Sequence, residues 1–195
     1  EGWFTTPVCS INPYIVNQIR ERGVESVLLP IGVNLKRFSP FKQINKIKRL
    51  GFVGSSPKQD WQSIKRPGLF HEICRAAGVV PVTITNRPNF NAMYNDVDAI
   101  ICTSTAEGLP TYFAEAVACK IPFISTNVGI VRYYDNVKTY ETVDEAVKII
   151  NELNASSITL NEYSSSLHNE MFPHRSWENI LEQYAKYKPI KLLKN

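Results

Sequence analysis

The sequence predicts an α/β fold, namely a Rossmann-like, doubly wound parallel sheet followed by a helical C-terminal tail. Two observations predict it. Short apolar runs bounded by Gly, Pro, Ser or Asn are typical of strands buried on both faces. Helical patterns lie between these runs, and strands that alternate with helices at this spacing form βαβ units around a parallel sheet.

The length bounds the domain organisation. A chain of 195 residues suffices for one sizeable domain and is too short for two comfortable ones. We therefore expect a single domain over 1–195, with 157–195 as its helical tail. The chain opens on Glu1 instead of Met, so we expect it to be a piece of a longer protein. No apolar run approaches the roughly 18–20 residues of a membrane span.

The elements follow one another in a regular order. The five predicted strands lie in the segments SVLLPIG, KRLGFVG, VVPVTIT, DAIICTS and IPFIST. The predicted helices cover roughly 11–22, 67–77, 110–119, 143–153, 157–171 and 176–187. The last helix has a clear start signal, because Ser176 is a good N-cap and Glu178 favours the positive end of the helix.

The four cysteines are scattered, with no C-x-x-C pair and no His cluster nearby. Three of them, Cys74, Cys102 and Cys119, lie in apolar segments, where a free cysteine behaves as a small hydrophobe. Reduced core thiols indicate a cytoplasmic protein, which could also be peripheral at the cytosolic face of a membrane.

The segment 36–66 is basic, with nine Lys or Arg against a single acid, Asp60. A solvated loop explains part of this charge, and a positive rim facing a polyanion or an acidic lipid surface explains it equally well. Nucleic acid is a weaker interpretation, because aromatic residues are not interleaved with the basic ones.

Ligands of open parallel sheets bind beyond the carboxyl ends of the strands. Three polar segments occupy this position: VGSSPK, TNRPNF and TSTAEGLP. In the first, Gly54 would let a ligand approach the backbone. Lys65 and Arg66, just before the next helix, could bind phosphate. A basic surface loop is the alternative interpretation of these residues.

The third segment carries two glutamates, Glu107 and Glu115, with seven residues between them. Pro110 suits the first turn of a helix, which leaves the N–H groups of Thr111 and Tyr112 free to bind an anion. Glu115 stands in a helix that is otherwise almost entirely apolar, so its carboxylate needs a partner, and ligand hydroxyls would serve. A surface position for Glu115 is the alternative.

Three segments together resemble a known family. They are YNDVDAIICTSTAEGLPTYFAEAVACKIPFISTNVG, LLPIGVNLKRFSP and GFVGSSPKQDWQSIKRPGLF, and they fall in the right order within roughly 8–135. Their pattern is similar to that of the retaining GT-B glycosyltransferases with a Glu-x7-Glu motif, of the family 4 or group 1 type. The resemblance implies the C-terminal, donor-binding half of such an enzyme, with the N-terminal acceptor domain absent from this chain.

The resemblance also implies roles for individual residues. Glu115 would accept hydrogen bonds from the ribose, Glu107 would hold the donor sugar, and Lys65 would neutralise the diphosphate. The implied catalytic residues are Glu107 and Lys65. The implied donor-binding residues are Gly54, Ser55, Lys65, Arg66, Asn86, Arg87, Glu107, Gly108, Leu109, Pro110, Thr111 and Glu115. The base would lie near 86–88.

The implied activity is transfer of a sugar, with retention, from a nucleoside-diphosphate sugar to an unknown acceptor. The enzyme would be hexosyltransferase-like, and weak or inactive as this isolated domain. No metal and no organic cofactor would be required, because a lysine and a helix end supply positive charge. The partners would be the donor, the N-terminal domain of the parent chain and an acidic or lipid-linked acceptor, without nucleic acid.

The sequence departs from the family pattern at three places. A serine, Ser55 or Ser56, stands where many relatives have an Arg beside the phosphates. Lys120 replaces a common Gly after the helix, and Asn34 replaces a usual Asp in the upstream turn, which tolerates either residue.

Two other functions stay open. One is a non-catalytic sugar-nucleotide-binding subunit that works with a separate partner chain. The other keeps the GT-B fold but changes the chemistry to that of a sugar-nucleotide epimerase or a phosphorylase. A phosphorylase would need a lysine environment for pyridoxal phosphate, which the sequence does not indicate, and an epimerase would need acid/base groups from the facing domain.

Overall fold

A computed structural model describes residues 8–29, 32–54, 59–85, 94–108, 110–172 and 176–186. The strands are β1 Val8–Ser10, β2 Ser26–Leu28, β3 Arg49–Val53, β4 Val80–Ile84, β5 Ala99–Cys102, β6 Phe123–Ser125 and β7 Lys138–Thr139. The α-helices are α1 Pro13–Glu21, α2 Gln59–Lys65, α3 Pro67–Ala77, α4 Thr111–Ala118, α5 Val143–Leu153, α6 Ser157–Met171 and α7 Trp177–Lys186, and a 3-10 helix covers Gly129–Tyr133.

The main sheet has five parallel strands in the order β4-β3-β5-β6-β7. The chain runs outward from β3 to β4, returns to the other side of β3 at β5, and then continues through β6 to β7. This reversal makes the sheet doubly wound, with its topological switch point between β3 and β5. The predicted α/β fold with a parallel, doubly wound sheet is confirmed.

One predicted strand belongs to a different sheet. The segment SVLLPIG supplies β2, which pairs in parallel with β1 in a separate two-stranded sheet instead of joining the main one. The fifth strand of the main sheet is β7. It has only two residues, which are too few to form an apolar pattern in the sequence. The helix α2 was also not predicted, because 59–65 combines polar residues with a single Trp and Ile.

The strands differ in burial in a way that follows their place in the sheet. All four residues of the central strand β5 are buried, as predicted. The expectation that β4 is buried on both faces is wrong, because only Ile84 is buried and Val80 is 57% exposed. As an edge strand, β4 also accommodates Pro81, which has no backbone N–H for a further strand.

The helices cover the sheet and close one core. α3 packs on α5, α4 packs on α6, and α5 packs on α6. Cys74, Cys102 and Cys119 lie in this core, as predicted. Ser176 caps α7 as predicted, since its Oγ accepts a hydrogen bond of 3.2 Å from the N–H of Asn179. The helices predicted over 67–77, 143–153 and 157–171 have the bounds of α3, α5 and α6.

Candidate functional site

The carboxyl ends of β3 and β5 meet at the switch point of the main sheet. Gly54 follows β3 directly, and the segment 103–108 follows β5. In doubly wound sheets this crevice is the usual ligand site, because loops and helix N-termini converge there. Gly54 and residues 103–108, which belong to two of the three polar segments singled out in the sequence, therefore lie at the same edge of the sheet.

The junction between α2 and α3 is tied to the end of β5. The Oγ1 of Thr103 donates to the carbonyl oxygen of Lys65 over 2.5 Å, and the Nε of Arg66 donates to the carbonyl oxygen of Thr103 over 2.6 Å. Arg66 takes a left-handed conformation with φ of 51°, which turns the chain from α2 into Pro67 at the start of α3. These bonds place the side chain of Lys65 beside the segment after β5. The Nε–H of Arg66 is one of the donors that hold the junction together.

Lys65 and Glu107 form an ion pair at this point. The Nζ of Lys65 contacts the Oε1 of Glu107, and the Oγ of Ser104 donates to the same oxygen over 2.6 Å. The side chains are only 14% and 12% exposed, so Lys65 does not belong to a solvated basic loop. The ammonium also lies 5.7 Å from the ring centre of Trp61 and 5.5 Å from that of Tyr112, within the range of cation–π attraction.

The glycines of the site differ in the space around them. A Cβ at Gly54 would lie 2.1 Å from Cη2 of Trp61, so the indole fills the space that we expected a ligand to use. A ligand can reach the backbone of Gly54 only if the indole moves. A Cβ at Gly108 would meet nothing within 4 Å, so the open approach to the backbone lies there instead.

The helix α4 points its N-terminus toward this crevice. Pro110 is the N-cap residue with φ of −68° and ψ of 103°, one position earlier than the predicted first turn, and its side chain has no polar atom to cap the helix. The N–H groups of Thr111 and Tyr112 therefore lie at the uncapped positive end, where an anion is stabilised. Tyr112 and Glu115, three residues apart, share one face of α4.

Glu115 has a protein partner that the sequence did not indicate. The hydroxyl of Tyr94 donates to its Oε2 over 2.7 Å, and Tyr94 itself is fully buried. Burial raises the pKa of the Glu115 carboxyl, while the Tyr94 hydrogen bond and the charge of Arg37 oppose this rise. Arg37 follows a turn in which Asn34 Oδ1 accepts from the N–H groups of Lys36 and Arg37, over 3.0 and 3.1 Å. This Asx turn confirms that asparagine serves in place of aspartate there.

The backbone of Glu107 and Gly108 contacts Gly129, the first residue of the 3-10 helix. Gly129 has φ of 54°, and a Cβ there would come within 2.5 Å of the Glu107 carbonyl oxygen and 2.7 Å of that of Gly108. The N–H of Ile130 donates to the Gly108 carbonyl oxygen over 3.1 Å. Only a glycine permits this close approach, so Gly129 helps to place Glu107 although it lies outside the crevice.

The structure brings together part of the predicted set. Lys65 contacts Glu107 directly, and Gly108, Pro110, Thr111 and Glu115 continue from there into α4. The predicted residues Ser55, Asn86, Arg87 and Leu109 lie outside the described residues. Sequence reasoning gave no role to Trp61, Ser104 or Tyr94, whose contacts depend on how α2 and α4 dock on the sheet.

Part of the basic segment is neutralised internally. Asp98 pairs with Arg49 over 3.3 Å and with Lys42 over 3.6 Å, and its carboxylate accepts from the N–H groups of Lys48 and Arg49. Burial opposes ionisation of Asp98, but these N–H groups and cations hold its pKa below the ordinary value. A nearby pocket of about 440 Å³, lined partly by Lys46 and Lys48, lies at the amino ends of β3 and β5. It is therefore at the opposite edge from Lys65 and Glu107.

Two features are absent from the part of the chain that the structure describes. No helix there is long and apolar enough to cross a membrane. No group of three or more His, Cys, Asp or Glu residues there could hold a metal ion.

Comparison with known proteins shows the family of the chain. A family model described as "Glycosyl transferases group 1" matches residues 33–155, which is more than half of the chain. Lys65, Glu107 and Glu115 all lie within the matched segment. No curated protein matches the chain.

Solved structures of low sequence identity share the fold. Sucrose-phosphate synthase from Thermosynechococcus elongatus is 15% identical with a TM-score of 0.69, and the match covers 92% of this chain and 56% of that protein. HepE from Anabaena in complex with UDP-glucose is 12% identical with a TM-score of 0.72, and the match covers 94% of this chain and 64% of HepE. The C-terminal domain of LpcC, a group 1 glycosyl transferase family protein from Francisella tularensis, is 14% identical with a TM-score of 0.55. That match covers 75% of this chain and 100% of that domain. The chain thus spans less than two thirds of the length of the first two proteins.

Proposed function

Because the chain belongs to the group 1 glycosyltransferases, we propose that it binds a nucleoside-diphosphate sugar at the switch point between β3 and β5 and takes part in transfer of the sugar to an acceptor. The observation that carries the proposal is the position of Lys65 beside Glu107 at the N-terminus of α4. A cation, a carboxylate and a free helix end are the groups that a diphosphate joined to a sugar requires.

Lys65 and α4 would stabilise the leaving group. Cleavage of the bond between the anomeric carbon and the diphosphate oxygen places negative charge on the diphosphate and positive charge on the sugar. Preorganised N–H dipoles and an ammonium aimed at the diphosphate stabilise the part of the transition state that changes most. Since these groups supply the positive charge, we propose that neither a metal nor an organic cofactor takes part.

The two glutamates would bind opposite ends of the donor. Glu107 lies next to Lys65, so a sugar bonded to the diphosphate would bring its hydroxyls to this carboxylate. Glu115 lies in α4, eight positions further along the chain, with its Oε2 accepting from Tyr94, and its remaining acceptor positions would receive the ribose hydroxyls. A carboxylate that is partly buried gains more from such hydrogen bonds than an exposed one.

We propose that residues 1–195 form the C-terminal, donor-binding half of a retaining enzyme of family 4. The match to the whole C-terminal domain of LpcC supports this position in a longer chain. An N-terminal domain of the parent chain would bind the acceptor, and the exposed basic residues of the 36–66 segment suit an acidic or lipid-linked acceptor at the cytosolic face of a membrane. The isolated chain would then bind donor with little or no transfer.

Thermal melting against a panel of nucleotides and nucleotide sugars tests the donor site. UDP and UDP-glucose come first, because HepE was crystallised with each of them. A ligand at a hundred times its dissociation constant stabilises the chain by about 2.7 kcal/mol. At this size the melting temperature would rise by about 5–10 °C. No shift with any nucleotide would contradict the proposal.

Glu115→Ala tests the ribose contact separately. We expect the variant to fold and to bind UDP at least about tenfold more weakly, because a carboxylate that accepts ribose hydroxyls contributes about 1.5–3 kcal/mol. The unmodified chain should prefer UDP to its 2′-deoxy analogue, and the variant should lose that preference. Glu152→Ala, on the exposed side of α5, is the matched control and should bind both as the unmodified chain does.

A further inference from the structure

The cation of the proposed diphosphate site is paired with a carboxylate of the protein itself. Lys65 Nζ contacts Glu107 Oε1, and neither side chain is more than 14% exposed. The ring centres of Trp61 and Tyr112 lie 5.7 and 5.5 Å from the ammonium. A diphosphate that enters the crevice must therefore take Lys65 away from a carboxylate.

The two partners differ in how firmly they are held. The Oγ of Ser104 donates to Glu107 Oε1, and Ser104 is itself anchored because its carbonyl oxygen accepts from Thr126 Oγ1 over 2.6 Å. Gly129 supports the backbone of Glu107 from behind. Lys65 is the last residue of α2 and has a flexible four-carbon stem. Lys65 is thus the group that can change partner, while Glu107 stays in place.

We propose that Glu107 competes with the diphosphate for Lys65 and thereby makes the site discriminate between a nucleotide sugar and the sugar-free nucleoside diphosphate. This inference rests on the proposed function of the crevice. When a nucleotide sugar binds, the sugar hydroxyls replace Lys65 as partners of Glu107. When a sugar-free diphosphate binds, Glu107 is left as a partly buried carboxylate without its cation and close to another anion, which is unfavourable.

The same competition would favour release of the spent nucleotide. Once the sugar has left for the acceptor, Glu107 loses its hydroxyl partners and attracts Lys65 again. The nucleoside diphosphate then loses its main cation. The donor would be held more tightly than the product by the same two side chains.

Calorimetric titration of UDP and UDP-glucose into the chain and into Glu107→Gln tests the inference. Glutamine has the shape of glutamate and can still accept from Ser104, so we expect the variant to fold, and a melting curve checks this. Loss of the competing charge should tighten UDP on the order of tenfold, which corresponds to about 1.4 kcal/mol. The preference of the unmodified chain for UDP-glucose over UDP should fall or disappear.

Two controls separate competition for Lys65 from a general effect of charge. Glu152→Gln removes the same charge from another Lys–Glu pair, with Lys138, and should leave UDP affinity unchanged. When it is combined with Lys65→Gln, the Glu107→Gln substitution should no longer increase UDP affinity, because the ammonium for which carboxylate and diphosphate compete is absent.

Three results would overturn the inference. If UDP binding depends on Lys65 but Glu107→Gln does not tighten it, the competition is absent and the proposed donor site stands. If the tightening persists in the Lys65→Gln background, Glu107 acts by repulsion of the anion and not through Lys65. If neither the chain nor any variant binds UDP or UDP-glucose, the proposed function fails together with the inference.

Discussion

Gly129 supports the segment after β5 by direct contact with its backbone, and Gly129→Ala measures that support. The residue combines a left-handed φ of 54° with direct contact to the backbone of Glu107 and Gly108. An alanine there would be strained by its φ, and its Cβ would also lie 2.5 Å from a carbonyl oxygen that belongs to the backbone and cannot simply rotate away. The loop after β5 must shift if the variant is to fold.

The contacts of Gly129 give an order of magnitude for the loss of stability in Gly129→Ala. A left-handed alanine costs about 1–2 kcal/mol, of which about 0.4–1 kcal/mol is offset by the lower entropy of the unfolded chain. Weakening of the bond from Ile130 N–H to the Gly108 carbonyl adds about 0.5–1.5 kcal/mol, and displaced backbone adds about 1–2 kcal/mol. These contributions together give a loss of about 1.5–5 kcal/mol in the free energy of unfolding, or roughly 3–20 °C in the melting temperature.

Two other glycines serve as matched controls in the same thermal unfolding assay. Gly78 has φ of 65° but nothing within 4 Å of its Cβ position, so Gly78→Ala carries the φ cost alone. Gly68, inside α3, has neither a positive φ nor a neighbour, so Gly68→Ala should be neutral or stabilising by up to about 1 kcal/mol. Gly129→Ala should be the most destabilising of the three and should also weaken UDP-glucose binding. If it is no worse than Gly78→Ala, the close contact with Glu107 does not constrain the loop.

Two more substitutions have defined outcomes. Tyr94→Phe removes the hydroxyl that favours the ionised form of Glu115, so the pKa of Glu115, already raised by burial, should rise further. UDP affinity, measured by calorimetry between about pH 5 and pH 8, should fall as the pH decreases and Glu115 takes up a proton. In the variant this fall should begin at a higher pH than in the unmodified chain and should reach about three- to tenfold at the acidic end. An unchanged pH profile would contradict the positioning of Glu115 by Tyr94, and Glu115→Ala should abolish that dependence. Lys120→Gly should raise the free energy of unfolding by about 0.5–1 kcal/mol, because Lys120 has φ of 54° and ends α4 with the 6→1 and 5→2 bonds of a Schellman motif. Lys148→Gly, in the exposed interior of α5, should instead lower it by about 1 kcal/mol, and equal effects of the two substitutions would refute the conformational cause.

The left-handed conformation of Lys120 bears on a departure from the family pattern. A lysine stands here where the pattern commonly has a glycine after the helix. The left-handed φ shows why glycine suits this position, since a residue with a Cβ is strained there. The cost is small enough for the chain to carry a lysine, whose charge suits the C-terminal end of α4.

The sequence determined the features that depend on local patterns. The buried run of β5, the helices α3, α5 and α6, and the N-cap at Ser176 follow from apolar periodicity, Pro and Gly positions and capping side chains. The order of strands and helices was enough to predict a doubly wound sheet, and hence the edge at which Glu107 lies. Lys65 was singled out by its position just before a predicted helix, Glu107 by its position after a predicted strand, and both by the family resemblance.

Only the tertiary structure decided which strands share a sheet and which side chains meet. The pairing of β2 with β1 and the addition of β7 are contacts across the chain that an apolar run does not specify. Lys65 and Glu107 are 42 positions apart, and they touch because Thr103 ties the α2–α3 junction to the end of β5. The filling of the Gly54 site by Trp61 is decided by helix docking in the same way. Periodicity encodes which face of an element is buried, but the distances between side chains are fixed only when those faces pack together.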